Sequence, residues 1–359
     1  MAKIVLADDG IVFDGDTPKQ RPLGGVESSI VNLTRELADR GHQIMVRNMC
    51  DSAALIDGVD WAPLKDGLPE TADLYIANRG DKLIPLLPKA RHAAFWIHNP
   101  ARYLMKWRYL SKLWMRKPAI VFIGDYHATT YPAWAPGGPR KVIPYGIAKD
   151  FTGLPERSPP PPKAIFTSNP LRSLDWLLEL WVKSIRSRVP NAELHLFTGA
   201  ATYGAVGDAK AQEMATILTK AKGLAHMGVV LRDPVAKHRL IEEFQSSRAM
   251  LYRGDLNETF CLAVGEAQAA GVPAVVGRYG SVVERVIDGE TGTIAENDAM
   301  FADAAVKLLT DDDLWSRSHK AALAKQGRWG WPDAAQAFEA LAFESSAFGT
   351  LAVEELDAR

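Results

Sequence analysis

The stretch NETFCLAVGEAQAAGVP, Asn257 to Pro273, places two carboxylates, Glu258 and Glu266, eight positions apart in otherwise apolar surroundings. Ionised side chains seldom sit beside a run destined for a core unless something holds them. The preceding AMLYRG has the composition of a buried strand. DLNETF reads as a loop, and CLAVGEAQAAG as a helix closed by Gly271. In open parallel sheets, ligands bind at this strand end, where the first amides of a helix lack acceptors. The amides of Phe260, Cys261 and Leu262 are therefore expected to face a cleft and attract an anion such as a diphosphate. Carboxylates repel phosphate, but one carboxylate accepts from two adjacent hydroxyls. A diphosphate flanked by hydroxyl-bearing sugars describes a nucleotide sugar. The same two acids, taken alone, also fit a solvated loop residue and a surface helix position. Their spacing does not align them on one helical face, so the loop-then-helix placement carries the reading.

Outward from this stretch, short apolar runs alternate with amphipathic segments. KIVLA, QIMVRN, ADLYIAN, HAAFWIH and AIVFIGD in the first half read as buried parallel strands. Between the first two, Val26, Ile30, Leu33 and Leu37 recur at helical spacing up to Gly41, a C-terminal cap. PERSPPPPK, 155–163, can join neither a sheet nor a helix interior and reads as a stiff linker. The alternation restarts with KAIFT, AELHLFTG, GVVLR, AMLYRG and PAVVGR. The fold class is thus α/β, with two Rossmann-like doubly wound domains. Expected boundaries are 1–154, a linker at 155–163, 164–331, and a C-terminal helix at 332–359 crossing back to the first domain. TDDDLWSRSHKAALAKQG should be a helix with Thr310 and the aspartates at its positive end. Pro332 suits a first helical turn.

The 359 residues suffice for two domains, and a net charge of −1 does not suit a chain built to coat nucleic acid. Cys50 and Cys261 are the only cysteines, which excludes a disulfide framework and fits a reducing compartment. MAKIVLADDG reads as a first strand rather than a signal peptide. No uncharged run reaches the roughly 18 residues needed to span a bilayer. The expected location is cytoplasmic, with any membrane contact peripheral. No Asp or His cluster has ligand spacing, so neither a metal nor a cofactor is expected.

The pattern E-T-F-C-L-x-x-x-E-A-x-A-x-G-x-P, Glu258 to Pro273, resembles the signature of retaining glycosyltransferases of family 4 (glycosyl transferases group 1), which have the GT-B fold. The resemblance runs through the chain in order: LGGVE (23–27), HNP (98–100), VIPYGI (142–147), GSVVERVIDGETG (280–292) and WGWPDAAQAFEAL (329–341). It implies two domains facing each other across a cleft and a UDP- or GDP-sugar as donor. Glu266 would hold the donor ribose, and Glu258 with the amides after it the transferred sugar. Gly24 and Gly25 would let backbone approach the diphosphate, and His98 would line the pocket near the reacting sugar. The family usually carries a Gly-Arg pair and then a Lys-Gly after the first strand of the second domain. Here TSNPLRSLD, 167–175, offers Arg172 for the second cation and Asn169 in place of the first. Arg253 or Arg278 would be substitutes. Catalysis would come from donors aimed at the leaving phosphate: Arg172, the helix N-terminus and the glycine loop.

One segment departs from the charge balance. ARYLMKWRYLSKLWMRKP, 101–118, holds Arg102, Lys106, Arg108, Lys112, Arg116 and Lys117 and no acid. On one helix, Tyr103, Trp107, Leu110 and Trp114 would form a narrow stripe among these cations, suited to an anionic membrane interface. Core packing of the stripe, with the cations solvated or holding a soluble anionic acceptor, fits the same pattern. The resemblance implies a glycan or glycolipid acceptor, as in cell-envelope polysaccharide or lipopolysaccharide synthesis. Three other readings stand beside transfer. Paired carboxylates also serve glycoside hydrolysis. A dehydrogenase would need G-x-G-x-x-G after the first strand, which VLADDGIVFDG lacks. Asn169 also leaves room for a non-catalytic sugar-nucleotide-binding subunit.

Overall fold

The computed structural model describes residues 1–21, 23–199 and 210–343; of the expected terminal segment, 344–359 lies outside the described residues. Every strand foreseen from the apolar runs forms. The first sheet contains β1 (Lys3–Asp8), β2 (Gln43–Asn48), β3 (Ala54–Ile56), β4 (Val59–Pro63), β5 (Leu74–Asn78), β6 (His92–Trp96), β7 (Ala119–Phe122) and β8 (Arg140–Val142). Its order is β3-β4-β2-β1-β5-β6-β7-β8. The second sheet contains β9 (Lys163–Phe166), β10 (Glu193–Phe197), β11 (Val229–Arg232), β12 (Ala249–Tyr252), β13 (Ala274–Gly277) and β14 (Gly292–Ala295), in the order β11-β10-β9-β12-β13-β14. Every ladder is parallel except β3 with β4. That hairpin turns through Asp57 and Gly58, both at positive φ, the backbone a two-residue Asp-Gly turn requires. Sequence periodicity missed β3, β4, β8 and β14, which are short or sparsely apolar.

The central strands bury nearly every residue because helices cover both faces. Crossovers reverse direction at β1/β5 in the first sheet and at β9/β12 in the second. These switch points place the C-terminal ends of β1, β5, β9 and β12 beside crevices. The helix Gly25–Asp39 follows β1 with Ile30, Leu33 and Leu37 buried, and it ends before Gly41 at φ 86°. The proline-rich segment has no regular structure up to Lys163, the first residue of β9. It is fastened to the second lobe. Arg157 donates its backbone N–H to His319 (3.2 Å) and its Nη1 to the Ala270 carbonyl (3.1 Å).

The helix Trp331–Phe343 has Pro332 in its first turn and packs against the first lobe. Phe338 meets the Trp96 ring edge-on at 5.0 Å and is fully buried, which is worth about 1.5–3 kcal/mol. Arg40 also donates to Glu339 (Nε–Oε2 2.9 Å). At its start Gly146 passes so close that an added Cβ would lie 2.2 Å from the Trp331 nitrogen. Gly146→Ala is therefore expected to cost about 2–3 kcal/mol in denaturant unfolding. Gly223→Ala, where a Cβ meets nothing within 4 Å, should cost nothing; equal losses from the two would contradict this.

Thr310 does not begin the acidic helix as expected. It ends the preceding helix, Asp298–Thr310, and Asp311 caps the next one by accepting from the Leu314 amide (2.9 Å).

Candidate active site between the two lobes

Both glutamates follow the C-terminal end of β12, and each is held by a cation. Glu258, in the loop after β12, accepts from the Tyr252 hydroxyl (2.6 Å) and lies 2.6 Å from Nη1 of Arg172. Burial disfavours charge on Arg172, but the Glu258 carboxylate outweighs it and holds the guanidinium protonated beyond its ordinary range. Glu266, on the helix Leu262–Ala269, is 5% exposed. Lys237 grips both of its carboxylate oxygens, at 2.6 Å for Oε2. Lys237 opens the helix Lys237–Gln245 and stays partly exposed. No pattern around it in the sequence marked it, since its partner lies 29 positions away and on a different helix.

Asn169 does not face this pair as a charge substitute. Its side chain accepts from the Leu171 amide (2.9 Å) and its carbonyl from the Arg172 amide (2.9 Å), a turn that presents Arg172. The two cations suggested as substitutes on the diphosphate have other partners in this structure. Arg253 is stacked between Trp176 and Tyr279, 4.8 and 4.6 Å from their ring centroids. Arg278 forms an exposed ion pair with Glu296.

The helix begins one residue later than the anion-binding reading assumed. Cys261 is its N-cap in left-handed conformation (φ 64°), so Leu262 and Ala263 supply the first amides without intrahelical acceptors. Both are partly exposed, whereas Phe260 and Cys261 are buried. The Phe260 ring turns into the contact between lobes, 5.0 Å from Tyr145, with the Arg285 guanidinium 4.2 Å from its centroid. Gly24 and Gly25 start the helix facing this point, and a Cβ on Gly25 would lie 3.2 Å from Leu262 Cδ1. The glycine loop and the helix N-terminus thus meet across the cleft.

Behind the glycine loop lies a polar network of which the sequence reading named only His98 as a site residue. Asp8 and Asn78, which end β1 and β5, are fully buried. Arg79 bridges Asp8 (Nε–Oδ1 3.2 Å) and Glu27 (Nη2–Oε1 3.0 Å), tying the start of the Gly25–Asp39 helix to the sheet. Polar residues closing two apolar strands at the switch point were the signal available in the sequence.

His98 belongs to this network and is 4% exposed. Asn78 donates to Asp8 (2.6 Å), so its oxygen accepts from His98 Nε2; His98 Nδ1 then accepts from the Tyr145 hydroxyl (2.5 Å). Burial and the nearby Arg79 and His127 hold the ring's pKa well below the ordinary range, and it is neutral. Its carbonyl accepts from Thr259 Oγ1 of the second lobe (2.5 Å). The lobes also meet where Glu284 accepts from the Tyr126 amide (2.7 Å) and the Tyr126 hydroxyl donates to the Leu256 carbonyl (2.8 Å).

His127, beside this contact, is buried and accepts from the Ile123 amide (3.2 Å), with Nε2 donating to the Asn99 carbonyl (2.9 Å). Burial pushes its pKa down to about 4. The unfolded chain therefore takes up a proton near pH 6.5 that the folded chain refuses. Stability from this residue is complete above that pH and lost as pH falls toward 4. Between pH 7 and 5 the loss from His127 should be about 2 kcal/mol. His98, shifted the same way, adds to it. Denaturant melts that coincide at the two pH values would contradict this.

A narrow cleft of ≈ 100 Å³, partly open to solvent, runs between Leu23 and Ser28 of the first lobe and Thr198, Gly199, Pro234 and Lys237 of the second. Among the described residues no group of three or more His, Cys, Asp or Glu side chains could hold a metal ion.

The basic segment is not one helix. A 3-10 turn, Ala101–Met105, is separated by Lys106 from the helix Trp107–Arg116. Tyr103 leaves the exposed stripe and packs inward on Tyr109, centroids 5.1 Å apart. Lys112 is bound to Asp81 (2.6 Å), which also lies 3.6 Å from Arg108. Trp107 and Trp114 are 79% and 68% exposed, and Trp134, from a separate loop, joins them at 75%. With Leu110, Met115 and Pro136 they line one apolar groove. Among the described residues no helix is long and apolar enough to cross a membrane.

Solved structures share this architecture over nearly the whole chain. Sucrose-phosphate synthase from Thermosynechococcus elongatus aligns with a TM-score of 0.71 at 14% identity, covering 94% of this chain and 98% of that one. Anabaena HepE, solved with UDP and glucose, also gives 0.71, at 15% identity over 95% and 99%. These likenesses show the GT-B fold, two Rossmann-like domains facing across a cleft. In sequence, 140 residues are 34% identical to D-inositol 3-phosphate glycosyltransferase of Corynebacterium diphtheriae, covering 38% of this chain. The chain spans about a third of the length of the curated relatives it matches. Residues 162–311, which hold both glutamates, Arg172 and Lys237, match the family described as Glycosyl transferases group 1.

Proposed function

We propose that the chain is a retaining, metal-independent glycosyltransferase of family 4. It would move a hexose from a UDP- or GDP-sugar to a glycan or glycolipid acceptor of the cell envelope. The observation that carries this reading is the Arg172–Glu258 pair ahead of the N-terminus of the helix Leu262–Ala269, which faces the glycine loop and holds Glu266 one turn further along. Glu266 accepts from the ribose hydroxyls and Glu258 from the transferred sugar. As the bond between the anomeric carbon and the phosphate oxygen breaks, charge grows on the diphosphate. Arg172, with the Leu262 and Ala263 amides, is aimed at that charge; one well-placed donor of this type is typically worth about 3–4 kcal/mol. The leaving phosphate oxygen takes the acceptor's proton while the acceptor oxygen bonds the same face of the sugar. His98 positions the wall of the site through its carbonyl and its neutral ring. Turnover of labelled UDP- and GDP-sugars with cell-envelope fractions tests the proposal. Donor binding without transfer to any acceptor would favour the non-catalytic subunit instead.

On the acceptor side, the groove of Trp107, Trp114 and Trp134 favours peripheral contact with an anionic membrane at its cytoplasmic face. Tryptophans suit the interface, and the exposed Arg102, Lys106, Arg108 and Lys117 would meet anionic headgroups. The protein is expected to pellet with phosphatidylglycerol liposomes at low salt and to lose at least half of that binding in Trp107→Ser/Trp134→Ser. Failure to pellet would remove this part of the account.

A further inference from the structure

Lys237 occupies the face of Glu266 that the donor needs. Its ammonium contacts both carboxylate oxygens of an acid that is 5% exposed. Ribose hydroxyls must compete with the ammonium for those oxygens. Displaced, a lysine needs another anion, and the donor brings one. The Lys237 side chain is 43% exposed and lines the cleft between the lobes. It stands on a flexible four-carbon stem at the first residue of its helix, so it can turn without disturbing the backbone. The other residues considered for a second phosphate contact are already engaged. Asn169 is spent on a turn, Arg253 is stacked between aromatic rings, and Arg278 is paired with Glu296.

We infer that Lys237 is an exchangeable counterion: donor binding hands it from Glu266 to the diphosphate, where it supplies the second cation beside Arg172. This rests on the nucleotide-sugar reading above. Before binding, the lysine neutralises a buried acid that would otherwise lack a partner. After binding, the same ammonium offsets phosphate charge.

The test compares a nucleoside diphosphate with its uncharged nucleoside, UDP with uridine and GDP with guanosine, by calorimetry and ligand-observed NMR. For the pair that binds, Lys237→Met should weaken the diphosphate at least tenfold and flatten the dependence of its Kd on NaCl. The nucleoside should bind as well as before or better, because Glu266 is freed. Lys237→Arg should stay near the unmodified protein, and matching thermal melts would show that all variants fold. Unchanged or tighter diphosphate binding by Lys237→Met would overturn the inference, since the lysine would then only cover Glu266. Equal weakening of nucleoside and diphosphate would also overturn it, by showing a purely structural role. Absence of nucleoside diphosphate binding by the unmodified protein would overturn the donor reading itself and this inference with it.

Discussion

Arg172→Ala should lower kcat for sugar transfer by about 10²–10³-fold, the loss typical of removing one preorganised donor from a developing oxyanion. Two effects combine at this residue. The guanidinium can grip phosphate oxygens bidentately, which a lysine cannot reproduce. It also neutralises Glu258, which otherwise keeps only the Tyr252 hydroxyl. An unpaired acid beside the leaving group would repel the charge that forms there. Arg172→Lys should recover part of kcat but not all of it. Steady-state kinetics with saturating donor separate this from a binding defect, which would appear mainly in KM. A kcat within threefold of the unmodified enzyme would remove Arg172 from the chemistry.

Glu266→Ala should weaken donor binding by roughly 10²–10⁴-fold, because two hydrogen bonds to a charged acceptor are lost at about 1.5–3 kcal/mol each. The loss should be specific to the ribose. The unmodified protein should discriminate between UDP or GDP and the 2′-deoxy analogue, and the variant should not. Calorimetric titration of the four combinations gives the coupling directly. A variant that still distinguishes the sugars would place the ribose elsewhere.

The fold was legible because parallel strands buried on both faces must be continuous apolar runs, and KIVLA, HAAFWIH and AMLYRG are such runs. Tertiary packing decided the rest. Nothing in GTIA or RKV separates an edge strand from a loop, and Lys106 breaks what periodicity alone made one helix. In the candidate site, a local pattern singled out Glu258 and Glu266, and the family resemblance singled out Arg172. Neither singled out Lys237, because its partner is remote in sequence and no periodicity links a first-turn lysine to a buried acid. For His98 the sequence placed the residue at a strand end but did not name the partners of its ring. Whether a strand-end histidine faces ligand or network depends on Asn78 and Tyr145, 20 positions before it and 47 after. Trp134 was missed because loops carry no periodic signal. Yet it completes the groove that Trp107 and Trp114 begin.

The central claim is that an activated sugar lies between the lobes with its diphosphate on the amides of Leu262 and Ala263. A crystal structure of the protein with UDP or GDP, whichever binds, tests it most directly. The account predicts phosphate oxygens within hydrogen-bond distance of those amides and of Arg172, with both ribose hydroxyls on Glu266. A nucleotide bound elsewhere, or one whose ribose leaves Glu266 paired only with Lys237, would contradict it.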